Sequence, residues 1–195
     1  MKKFERITAL ILLLIIVITT NVMDNTSFKI VEDSVNNIYE DRLVAYDLTY
    51  KMYSEVMERR MALSQNDLSH FQSNTAKFES SIGDLIAQYS NTKLTQKEDE
   101  NFKALQSQFS ELKVLESRLV GSKTSENSLK EVEVKTAKII ESLQSLAAIQ
   151  ISEGKRQLNK SKQAIYSSNV LSKIEIVSMI VISLIIVFLI IKDPG

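Results

Sequence analysis

Two solid apolar blocks stand at the ends of this chain, and single-faced apolar stripes fill the space between them. The first block runs from Ile7 to Met23 and is apolar except for Thr8, Thr19, Thr20 and Asn21. The second runs from Ile174 to Ile191, interrupted only by Glu175, Ser178 and Ser183. A bilayer crossing needs roughly 20 mainly apolar residues, with a lower limit of about 17. Both blocks therefore read as transmembrane helices, and Glu175 sits at the edge of its block, where a charge is tolerated. The basic start (Lys2, Lys3, Arg6) suits either a signal peptide or an anchor. We read an uncleaved anchor, because the stretch from Thr19 to Asp24 offers no good small-x-small cleavage site. Lys2, Lys3 and Arg6 should stay on the cytoplasmic side. That leaves residues 1–6 and 192–195 inside, residues 7–23 and 174–191 as spans, and residues 24–173 outside the cytoplasm.

The middle section has helical periodicity throughout. Phe28, Val31, Val35, Ile38, Ala45, Met52, Val56, Arg59 and Leu63 form one stripe, with Arg42 at a stripe position. Its stem lies along the seam or the packing there is looser. Phe71, Thr75, Phe78, Ile82, Leu85 and Tyr89 form a heptad seam. Between these stretches, Ser64 to Asp67 is polar and rich in cap-forming residues. Thr95 and Glu98 form a capping box, followed by a stripe from Phe102 through Leu105, Phe109, Leu112 and Leu115 to Leu119. Gly121-Ser122 ends it as a C-cap. A second box at Ser128 and Glu131, or a start at Ser125, opens a stripe of Leu129, Val132, Thr136, Ile139, Leu143, Leu146 and Gln150. The pattern thins from Gly154 to Lys162, and no breaker precedes the second span. The expected fold is all-α: helices near 24–64, 67–90, 95–120 and 126–173 in an up-down-up-down four-helix bundle. The two long outer helices are continuous with the transmembrane spans. The inner pair is too short to cover the outer pair along its length, which predicts a homodimer.

Composition narrows the function. Lys and Arg number 24 and Asp and Glu 24, with no basic cluster, so a nucleic-acid partner is not expected. There is no cysteine and one histidine, His70, which with Asp67 falls short of the donors a metal site requires. Nucleophile elbows and phosphate-binding glycine loops are missing as well. Neither an enzyme nor a cofactor is expected. Tyr39, Tyr46, Tyr50, Tyr53 and Tyr166 read as packing or interface residues ahead of a pocket lining.

The long-short-short-long arrangement between two spans resembles the sensor module of methyl-accepting chemotaxis receptors. The run Asn37-Ile38-Tyr39-Glu40-Asp41-Arg42-Leu43-Val44 resembles a segment common in that family's ligand-binding modules. The resemblance implies a two-pass protein of the bacterial inner membrane with a periplasmic bundle, signalling by helix shifts to a membrane or cytoplasmic partner. It also makes Arg59 and Arg60 candidates for an anionic ligand, against the plainer reading of solvated or seam-edge charges. After the second span only Lys192 to Gly195 follow, with no HAMP linker or signalling hairpin. The expectation is a sensory module without its own output, or the front of a longer receptor. The alternative is a structural bundle of the cell envelope.

Overall fold

The structure, a computed structural model, describes residues 2–65, 68–121 and 126–192, and all regular structure within them is helical. Helix α1 spans Lys2–Asn36, a π-helical stretch spans Asn37–Leu43, and α2 spans Val44–Ser64. Next come the short α3 (Leu68–Ser73), α4 (Thr75–Ser90), α5 (Gln96–Gly121) and the long α6 (Glu126–Lys192). The chain divides into two compact units. One comprises the residues up to Asn36 and those from Arg156 onward; the other is Asn37–Lys155. The boundary in α6 falls where the apolar periodicity thins.

The first unit pairs α1 with the C-terminal part of α6. Among the described residues, two helices are long and apolar enough to cross a membrane, and almost none of either apolar stretch is buried. What is buried in this unit is small or polar: Thr20, Ser34, Ser161 and Ala164. Thr20 returns its hydroxyl to the Ile16 carbonyl at 3.0 Å, so the polar group is satisfied within its own helix. The Ser168 hydroxyl donates to the Asp24 carboxylate. Phe28 and Val35, expected to continue the stripe of the first long helix, are 70% and 55% exposed. The π winding of Asn37–Leu43 was not foreseen either.

The second unit packs α2, α4, α5 and the first part of α6 around one apolar core. Ala45, Met52 and Val56 meet Ile82 and Leu85, Leu105 and Leu112, and Val132, Ile139 and Leu146. Each such side chain, fully buried, contributes about 1.5–3 kcal/mol of transfer free energy. The Tyr89 and Phe102 rings pack with centroids 4.6 Å apart at the α4–α5 turn. The second expected helix is broken at Asn74, where α3 ends and α4 begins. The break frees the Phe71 carbonyl from its backbone partner, and it accepts instead from the Thr75 hydroxyl at 3.0 Å and from Arg59 at 3.1 Å. Asn66 and Asp67, part of the expected loop, lie outside the described residues, as do Ser122 and Ser125. The Thr95 capping box forms as expected. The Thr95 amide donates to Glu98 at 2.9 Å, and the Glu98 amide donates to the Thr95 hydroxyl at 3.3 Å. The last long helix starts at Glu126, ahead of the Ser128 box.

Leu105 is fully buried, whereas Val134 is 63% exposed. Leu105→Ala should therefore cost about 2–5 kcal/mol through lost burial and the cavity left behind. Val134→Ala should stay within about 0.5 kcal/mol. Denaturant unfolding followed by circular dichroism measures both.

Candidate functional site

Two arginines of the first long helical segment are buried, and each collects acceptors from other elements. Arg42, in the π stretch, donates to Glu98 at 2.6 Å, to the Gln150 side-chain oxygen at 3.1 Å, and to the Lys93 carbonyl. The Gln150 amide in turn donates to the Tyr89 hydroxyl at 2.9 Å and to Glu98. One guanidinium thus ties together the π stretch, the α4–α5 turn, the N-terminus of α5 and the middle of α6. Burial alone would raise the Glu98 carboxyl. The Thr95 amide and the Arg42 and Gln150 donors outweigh it and hold Glu98 below its ordinary 4.5. Tyr89 goes the other way: burial, with Glu98 nearby, pushes its hydroxyl up to about 12.

The second cluster is centred on Arg59. Its Nε and Nη2 donate to both Glu116 oxygens at 2.7 Å, a bidentate pair. Nη2 also reaches the Thr75 hydroxyl at 3.0 Å. The guanidinium carbon lies 3.7 Å from the Phe71 ring centroid and 4.7 Å from that of Phe78, so the charge sits between two aromatic rings. Burial pushes the Glu116 carboxyl above its ordinary 4.5, against the pull of Arg59. Glu55, Glu58, His70, Asn74 and Lys77 join Arg59 around a small cavity of about 60 Å³. Arg60, the other arginine singled out in the sequence, is half-buried and is not among the residues lining that cavity. The structure therefore separates the two: Arg59 is a buried, paired cation and Arg60 is not.

The tyrosines also separate. Tyr46, Tyr50 and Tyr53 line a cavity of about 160 Å³ with Thr49, Leu143, Gln144 and Ala147. Tyr166 is 71% exposed and belongs to the other unit. Sequence reasoning placed Arg42, Tyr89 and Gln150 at stripe positions and Glu98 in a capping box, and missed that they form one network. The available signal was four polar residues at or beside seam positions of four predicted helical segments. Among the described residues, no group of three His, Cys, Asp or Glu side chains could hold a metal ion.

A family model described as a four helix bundle sensory module for signal transduction matches residues 2–166. The chain belongs to that family, the sensor module its sequence resembles, and the family is a signalling one. No curated protein and no solved structure matches it.

The two carboxylates have opposite proton linkage. Glu98 is depressed, so its contribution is present above 4.5 and is lost as pH falls through its lowered value. Glu116 is raised, so its protonated form favours the folded state, and that contribution is lost as pH rises from 4.5 through its raised value. Glu98→Gln should flatten the acid limb of the stability profile, and Glu116→Gln should flatten the limb above 4.5. Melting temperatures across that range read both. Arg59→Ala, which strands Glu116 in the core, should cost about 3–5 kcal/mol. The double change Arg59→Met with Glu116→Leu should recover most of that loss in denaturant unfolding.

Proposed function

We propose that this protein is a membrane-anchored, chemotaxis-receptor-like sensory module that acts as a homodimer and is not an enzyme. The family match over residues 2–166 is the observation that carries the sensory reading. The first unit supports anchoring, because its outer surface is apolar while its most buried residues, Thr20, Ser34, Ser161 and Ala164, are small or polar. Membrane helices pack in this way, since lipid offers no hydrophobic reason for helices to associate. On this reading residues 7–23 and 174–191 span the membrane, the ends face the cytoplasm, and residues 24–173 lie outside. The positive charges before the first span support that orientation.

The pairing of contacts supports an up-down-up-down bundle. Arg42 meets Glu98 and Arg59 meets Glu116, so α5 runs parallel to the π stretch and α2. Lys113 meets Glu79, and Lys135 meets Glu111 while Gln150 meets Glu98, so α4 and α6 each run against α5. A second heptad row supports the homodimer: Tyr39, Leu43, Tyr46 and Tyr50 recur at spacings of four, three and four, and all are exposed. A partner copy covering that row would bury a face that water otherwise wets.

Signal input would be an extracytoplasmic ligand, and output would pass through the second span to a membrane or cytoplasmic partner. Of the two candidate arginines, Arg60 is the better placed to meet a small anion, because an acid reaching Arg59 must first displace Glu116. A structural envelope bundle is the second reading, favoured by that Arg59–Glu116 pair, in which the buried cation already holds its counter-ion.

Circular dichroism melting of the detergent-solubilised full chain against amino acids, organic acids and amines separates the two. A ligand at 100 times its dissociation constant should add about 2.7 kcal/mol to the native state. For an acidic ligand, Arg60→Ala should abolish the gain. A blank across all three classes selects the structural reading.

A further inference from the structure

Beside the core of the second unit, α4 and α5 leave a groove of about 320 Å³. That is the lower end of the roughly 300–1,000 Å³ usual for small-molecule sites. Its wall is apolar where Phe78, Ile82 and Phe109 reach it, and all three are otherwise buried. Gly83 opens it. This residue lies inside α4, where only proline is a poorer helix former than glycine. Close packing does not demand the glycine. Among the described residues, a Cβ there would meet no other side chain or neighbouring helix within 4 Å.

Three charged groups line the same groove. Glu79 accepts from Lys113 at 2.6 Å, but the Lys113 side chain is 63% exposed. An ion pair so open to water holds weakly. Glu116 lies on the buried side, with both its oxygens taken by Arg59. Glu79 is close enough to add to the upward push that burial gives the Glu116 carboxyl. The sign of a fitting ligand follows. An anion paired with Lys113 would face two carboxylates. An ammonium paired with Glu79 would face one lysine, exposed enough to swing out into water.

We propose that this groove binds a small organic amine. Its ammonium replaces Lys113 on Glu79, and its hydrocarbon body covers Phe78, Ile82 and Phe109 beside Gly83. The proposal rests on the sensory reading above and gives it a site and a ligand class. Because Glu116 also grips Arg59, an occupant touches a pair that joins α5 to α2.

Phenethylamine is the probe, titrated into the detergent-solubilised full chain while circular dichroism follows melting. It should raise the melting temperature, because it binds the native state alone. Phenylacetate, with a similar body and the opposite charge, should not. Gly83→Leu should fill the groove and abolish the shift, and as a better helix former it should leave the unliganded protein folded. Glu79→Gln should weaken the apparent affinity about tenfold or more through loss of a charge-assisted hydrogen bond, and it serves if Gly83→Leu does not fold. Lys113→Met, which removes the competing ammonium, should strengthen binding, and Arg60→Ala should leave it unchanged. A phenethylamine shift that survives both Gly83→Leu and Glu79→Gln overturns the site and leaves ligand sensing standing. The same holds if phenethylamine gives no shift while another compound does. A blank with every compound overturns both readings.

Discussion

A guanidinium taken out of water must have its donors matched, since an unpaired buried charge costs several kcal/mol. Arg42 and Arg59 impose that requirement twice on the same long helical segment, 17 positions apart, and α5 answers with Glu98 and Glu116, 18 positions apart. The near-equal spacing makes the two pairs rungs of one ladder. A slip of one residue between the segments would leave neither guanidinium opposite its carboxylate. The apolar residues between the rungs supply most of the stabilisation but little register, because Met52, Val56, Leu105 and Leu112 would tolerate small shifts far better.

The two rungs are built differently and respond differently. Arg59 is held by a bidentate carboxylate and two aromatic faces, contacts that reinforce one another and leave little reason to open. Arg42 shares its donors among a carboxylate, an amide and a backbone carbonyl from separate segments. Glu98 is itself divided between Arg42, Gln150 and the Thr95 amide, so moving any one partner rearranges the rest. Their opposite shifts follow from this: Glu98 has donors enough to outweigh its burial, whereas Glu116 has mainly Arg59.

Most of the fold could be read from the sequence because it rests on periodicity. The helix end at Ser64, the Thr95 box and the buried seam through Phe78, Ile82, Leu85 and Tyr89 follow from side-chain spacing and cap chemistry alone. The break at Asn74 could not be read, because the Arg59 donor that meets the Phe71 carbonyl there comes from 12 positions away. The π stretch could not be read either: an interrupted three-four stripe locates a helix but carries no mark that tells π winding from α. Arg42 was recognisable as a polar residue on a stripe, but its partners lie 51 to 108 positions away, beyond the reach of local pattern.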